Sequence, residues 1–201
     1  MAYARSHMQK LEAAGHKCYS VPLGGSNFIG TTGFVAGYVE LEEQLAAEGI
    51  TADFIFHANG SGGTMAGLAI GKKLLDSSTT IISVDAAEHS ADFMDEMVEL
   101  GNAALQWLGS NANMTANDFC MDEDFFAPGY EMPSEQGSAA IKLLAREEGI
   151  LLDPVYSGKA FACFLDYVRK GKVPKGSNVI FWHTGGATAL FAEKEILGNV
   201  F

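Results

Sequence analysis

The tightest constraint in this chain is the stretch 51–68, TADFIFHANGSGGTMAGL. An apolar run, Phe54-Ile55-Phe56, enters a loop of Ala58, Asn59, Gly60, Ser61, Gly62, Gly63 and Thr64, and a helical pattern follows. This reads as a strand, a glycine-rich turn and a helix start. Glycines at 60, 62 and 63 permit backbone conformations that a Cβ forbids and let N–H groups approach a ligand. The open N–H groups and positive dipole end of the next helix favour an anion, above all phosphate. The alternative is a tight strand-to-helix connection with no ligand. Ser61 and Thr64 add hydroxyls, and no lysine or arginine lies between Asp53 and Gly71, so a phosphate here is held by dipoles and neutral donors. That argues against a nucleoside triphosphate. A Walker loop requires Gly-Lys-Ser/Thr where this chain has Gly63-Thr64-Met65. A Rossmann fingerprint begun at Gly60 and Gly62 requires glycine where Met65 stands, although Asp85, closing the run IISVD, keeps a dinucleotide reading open.

The same alternation recurs along the chain. Residues 3–14 carry Tyr3, Met8 and Leu11 at helical spacing, stop at Gly15 and lead into 17–21 as a short strand. After the loop 22–27, which is either a flexible connection or a ligand contact, a helix over 30–47 places Phe34, Tyr38, Leu41 and Leu45 on one stripe. The β-branched run 79–85 suits a buried parallel strand, and 88–108 reads as a helical region. Ser134 caps a helix that ends at Gly149, another helix spans 160–170, and the strand 178–183 enters Thr184-Gly185-Gly186 and a closing helix with Leu190 and Phe191. Strands alternating with helices, each strand ending in glycine or hydroxyl residues, predict an α/β fold: a doubly wound parallel sheet with helices on both faces. The loops then meet at one edge of the sheet.

Composition narrows the functions. A formal charge of -12 disfavours nucleic acid and anionic membrane, and no apolar stretch has the length of a membrane span. Cys18, Cys120 and Cys163 show no CxxC or metal spacing, and an odd count suggests reduced thiols in the cytoplasm. HxH, HExxH and GxSxG patterns are absent, which argues against metal and serine-hydrolase chemistry. The remaining candidates sit on the loops at 24–27, 59–64 and 183–186 and on two turns that present Tyr130 and Tyr156. Each tyrosine is equally readable as a core phenol with a satisfied hydroxyl.

Taken together, YSVPLGGSN, NGSGGTMAGL, PGYEMP, EGILLDPVYSGKA and FWHTGG cover nearly the whole chain. In that order they resemble the D-cysteine desulfhydrase and 1-aminocyclopropane-1-carboxylate deaminase group of pyridoxal-phosphate enzymes, of the tryptophan-synthase-β-like fold (type II). The resemblance implies that Asn59, Gly60, Ser61, Gly62, Gly63 and Thr64 hold pyridoxal 5'-phosphate and that Thr184 faces its pyridine nitrogen. Tyr156 would lie by the cofactor and Tyr130 near a small amino-acid substrate, as acid–base or leaving-group residues, which requires a lowered phenol pKa or a shared proton. Ser157 follows Tyr156 where ring-opening deaminases of the group carry glutamate. A hydroxyl at the pyridine nitrogen suits α,β-elimination from D-cysteine or a related β-substituted amino acid, giving pyruvate and ammonia.

By the same resemblance, residues 1–21 are a remnant of a smaller N-terminal domain, 22–201 form the large cofactor-binding domain, and the protein is a homodimer. Members of the group carry their Schiff-base lysine in an N-terminal region, and none of the chain's ten lysines sits in that context. The expectation is an N-terminally truncated, C-terminal portion; Lys159 is not the Schiff-base residue of the group, and Lys72 and Lys73 lie beyond the phosphate loop. Alternatives are a 1-aminocyclopropane-1-carboxylate deaminase, a cysteate sulfo-lyase, a non-catalytic truncated relative and a dinucleotide-binding domain.

Overall fold

Uninterrupted runs of β-branched and aromatic residues make strands buried on both faces, and two such strands form the centre of the fold. In the computed structural model, which describes residues 2–192, β1 (Phe54–Asn59) runs parallel to β2 (Thr80–Asp85), in register from Phe54↔Thr80 to Asn59↔Asp85. β3 (Met121–Asp122) pairs with β2 and β4 (Val179–Trp182) with β1, both parallel, giving the order β3-β2-β1-β4. The helices are α1 (Ala2–Ala13), α2 (Phe28–Ala47), α3 (Gly63–Leu74), α4 (Phe93–Trp107), α5 (Glu135–Glu148), α6 (Ser157–Arg169) and α7 (Ala187–Leu190).

Alternation along the strands sends side chains to two different cores. Phe56, Ala58, Ile82 and Val84 pack against Ala160 and Cys163 of α6, whereas Ile55 and Ile81 meet Tyr38 of α2 and Leu68 of α3 on the opposite face. Helices therefore cover both faces of a parallel sheet. Two glycines set how closely α2 and α3 pack. A Cβ on Gly67 would strike the Phe34 side chain and lie 2.6 Å from the Thr31 carbonyl oxygen, and one on Gly71 would lie 2.6 Å from Tyr38 Cβ. The carbonyl is backbone and cannot turn aside. Gly67→Ala should lower stability by about 2 kcal/mol, overpacking exceeding the ~1 kcal/mol that alanine gains in helix propensity; urea-unfolding midpoints measure it.

Chain order dictates where a site can form. Strands proceed outward from β1 to β2 to β3, and the chain then returns across the sheet to β4 on the far side of β1. The crevice beyond the carboxyl ends of β1 and β4 is the switch point at which open parallel sheets bind ligands.

Five local features differ from the sequence expectations. Residues 17–21 form no strand and are mostly exposed, outside the four-stranded sheet. β3, only two residues long, has no periodicity to reveal it. The helix expected from residue 88 starts at Phe93, leaving 88–92 as a loop at the sheet edge. α6 begins at Ser157, three residues early, because the Asp153 carboxylate caps its first turn. The closing helix is the single turn Ala187–Leu190, and whatever follows 192 lies outside the described residues.

Candidate active site

At the switch point a cavity of about 540 Å³ is walled by the β1 loop Asn59 to Thr64, the loop bearing Gly24 and Ser26, Tyr130, Tyr156 and Thr184. Its volume is in the range of small-molecule sites. The floor is the start of α3, where the N-cap residue Gly62 adopts φ +85° and has no side chain of its own to cap the helix. Only glycine suits this position: the backbone is left-handed, and a Cβ would run into the Met97 thioether. Above it, Ser26 Oγ lies 2.7 Å from Ser61 Oγ and accepts from the Gly63 N–H at 3.2 Å. The loop at 22–27 is thus part of the wall, and its Asn27 caps α2 by accepting from the Ile29 and Gly30 N–H groups.

Asn59 ends β1, is 1% exposed, and leaves its Oδ1 without a partner among the described residues while its Nδ2 donates weakly to Met121 Sδ at 3.7 Å. A buried acceptor left open in a cavity wall calls for a donor from a ligand. Helix N–H groups, two serine hydroxyls and the Asn59 amide form a donor and acceptor set fitting a phosphate ester that carries a further polar group.

Opposite the glycine loop, the hydroxyls of Tyr130 and Tyr156 meet at 2.7 Å with their rings edge to face. Gly60 makes this possible, since a Cβ there would sit 3.1 Å from the Tyr156 ring. Burial, then the Tyr130 hydroxyl, pushes the Tyr156 phenol well above the ordinary tyrosine range. Tyr156 is therefore a shared-proton phenol at neutral pH, rather than a phenolate.

Of the residues named from sequence, Asn59, Gly60, Ser61, Gly62, Gly63, Thr64, Tyr130, Tyr156 and Thr184 share this one cavity. Ser157 does not. It is 1% exposed, its Oγ donates to Asp153 Oδ1 at 2.5 Å and accepts from the Asp153 N–H at 2.8 Å, so its hydroxyl serves the helix cap. Asp85, which a dinucleotide site would turn toward a ribose, is bound instead to His89, with Oδ1 2.7 Å from Nε2. His89 stacks on Phe93 at 3.6 Å and, with Glu88, lines the cavity; reading 88–92 as helix hid both. Their one sequence signal is a histidine four residues after the strand-ending aspartate.

Lys72 and Lys73 lie in the last turn of α3, with Lys73 paired to Asp118 at 2.6 Å, and Lys159 is fully buried outside the cavity wall. Among the described residues, no group of three His, Cys, Asp or Glu side chains is placed to hold a metal ion, and no helix is long and apolar enough to cross a membrane.

Known proteins share this architecture. A D-cysteine desulfhydrase from Klebsiella pneumoniae (strain 342) is 41% identical over 183 residues, covering 91% of this chain and 55% of that protein. One from Serratia proteamaculans (strain 568) is 40% identical over 191 residues, covering 91% of this chain and 54% of that protein. The crystal structure of an ACC deaminase homologue superposes with a TM-score of 0.87 at 31% identity, over 98% of this chain and 58% of the other. The chain thus spans about half the length of the curated relatives it matches. Residues 2–185 match the family described as pyridoxal-phosphate dependent enzyme. A parallel sheet with a glycine cradle at its switch point and a match over most of the sequence lead to one conclusion: the chain belongs to the pyridoxal-phosphate dependent enzyme family.

Proposed function

We propose that this chain supplies the phosphate cradle and the phenol pair of a lyase of the D-cysteine desulfhydrase type. The reaction is α,β-elimination, in which D-cysteine and water yield pyruvate, ammonia and hydrogen sulfide. The carrying observation is that two hydrogen-bonded phenols, Tyr130 and Tyr156, face a glycine cradle across one cavity. Gly60, Ser61, Gly62, Gly63 and Thr64, joined by Ser26, would hold the phosphate of pyridoxal phosphate; Asn59 Oδ1 would accept a hydroxyl proton from it and Thr184 would face its ring nitrogen. Bound there, the cofactor supplies the electron sink that makes an amino acid's α-proton acidic.

The chain's own residues serve the leaving group and the phosphate. Tyr130 would give its proton to the departing thiolate and take one from Tyr156 across their hydrogen bond, and a proton from water would refill the pair, so that neither phenol is left ionised. With no lysine or arginine in the wall among the described residues, the dipole of α3 and neutral donors would balance the phosphate. The reading extends to residues 1–21 as the edge of a smaller domain, 22–201 as the cofactor-binding domain, a homodimer, and a cytoplasmic location. α1 has no buried side chain among the described residues, Tyr19, Val21 and Leu23 are exposed, and all three cysteines are free thiols.

Titration with pyridoxal phosphate, followed by phosphorus NMR and intrinsic fluorescence, tests the cradle. The parent chain should bind saturably and Gly62→Ala at least tenfold more weakly; equal binding would overturn the cradle. Sulfide release from D-cysteine, compared with keto-acid release from 1-aminocyclopropane-1-carboxylate, tests the lyase. Sulfide alone is expected; keto acid alone, or neither product with binding intact, would overturn the lyase reading.

A further inference from the structure

Lys159 is a fully buried ammonium that the site described above does not use. Burying a charge without an anion is costly unless its protons are hydrogen-bonded, so what receives them shows what the burial secures. The Lys159 Nζ donates to the Phe126 carbonyl at 2.8 Å and the Gly129 carbonyl at 2.7 Å, and stands 5.5 Å from the centre of the Phe126 ring. Both acceptors belong to the irregular segment that presents Tyr130. That segment's outer side is open, with Tyr130 44% and Met132 52% exposed. Its inner anchor is the lysine.

The anchor and the other phenol ride on the same helical turn. Tyr156 is the N-cap of α6 and Lys159 follows three residues later, a spacing that places side chains on one face of a helix. One turn of α6 therefore carries both the Tyr156 hydroxyl, 2.7 Å from Tyr130, and the ammonium that fixes the backbone just before Tyr130.

We infer that Lys159 is a positioning residue: it clamps the carbonyls of Phe126 and Gly129 so that the Tyr130 hydroxyl stays within hydrogen-bonding distance of Tyr156. Its catalytic meaning rests on the lyase reading; its structural content does not. The amine has no access to a carbonyl compound in the cavity, since both its hydrogen bonds point to the loop. Burial shifts Lys159 toward the neutral form and Asp85 opposes that shift, while Asp153 and Glu131 are the carboxylates that act on the Tyr156 phenol.

The test uses Lys159→Met, which keeps the stem and removes the donors, and Lys159→Gln, which restores two neutral N–H donors. Amide hydrogen exchange across 126–132 should quicken at least tenfold in Lys159→Met, remain near parent in β1 and β2, and recover in part in Lys159→Gln. Absorbance titration should show one high-titrating tyrosine moving down toward the ordinary range in Lys159→Met. Tyr130→Phe, which keeps the clamp, should reproduce that shift without quickening exchange at 126–129. Unchanged exchange and titration in Lys159→Met, or exchange raised equally throughout the sheet, would overturn the clamp. Where the chain releases sulfide, Lys159→Met should lower kcat with KM nearly unchanged. Loss of exchange protection without sulfide release in the parent would sink the lyase reading and leave the clamp standing.

Discussion

Asp153→Ala should cost about 4 kcal/mol of stability, a change on the order of a thousandfold in the folding equilibrium, and should detach Tyr156 from Tyr130. The carboxylate is 1% exposed and carries four hydrogen bonds: Oδ2 accepts from the Val155 and Tyr156 N–H groups, and Oδ1 from the Ser157 N–H and hydroxyl. Each donor left unsatisfied costs about 1–3 kcal/mol, and water reaching the partly exposed Val155 and Tyr156 end recovers some of it. A further loss comes from the β4 loop, which rests on the same carboxylate: a Cβ on Gly186 would lie 2.8 Å from Asp153 Cγ. Asp153→Asn retains one acceptor oxygen and should lose roughly half as much. Denaturant midpoints give the stability, and absorbance titration of tyrosine reports the separation of the phenols. A drop within 1 kcal/mol would mean that α6 keeps its start without this cap.

Acid will weaken the fold through His57, in a window from about pH 6.5 down to about pH 4. His57 lies inside β1, fully buried, with Nδ1 2.9 Å from the Ala58 carbonyl and Nε2 2.7 Å from the Ser83 hydroxyl. That arrangement suits a neutral ring donating from Nδ1 and accepting at Nε2. Burial pulls its pKa down from 6.5 to about 4. Because the folded value is the lower one, the unfolded chain binds a proton through this window that the folded chain refuses. Stability is complete above pH 6.5 and declines as pH falls, by ~1.4 kcal/mol per pH unit and ~3 kcal/mol in total. Urea midpoints between pH 7.5 and 4.5 give the slope, and His57→Gln, which does not titrate, should lose this share of it. Identical slopes in the two proteins would show that His57 plays no part.

Legibility followed the range of the interaction. The glycine loop at 60–63 was readable because a strand, a left-handed turn and an uncapped helix start are all local, and Gly62 has the positive φ that the pattern requires. Ser134 capping the Gly137 N–H and Gly149 closing α5 in a left-handed conformation were readable for the same reason. Ser157 departs from what the resemblance implies, a hydroxyl set at the pyridine nitrogen directly after Tyr156. The hydroxyl instead turns back to Asp153, four residues earlier. His89 escaped because a loop and a helix start share the same polar composition.

The sequence by itself determined a parallel α/β sheet, a glycine turn and open helix start after its central strand and membership of a cofactor family, since these rest on hydrophobic period, glycine placement and motif order. Tertiary structure alone decided which hydroxyls meet. Tyr130 and Tyr156 are 26 residues apart, and Lys159 reaches back 33 residues to Phe126. Such pairings depend on strand register, on the return of the chain to β4 and on the early start of α6, none of which a local pattern encodes. The physical reason is that periodicity specifies which face of an element is buried, whereas the closing of distant loops on one another is set by packing the whole sheet.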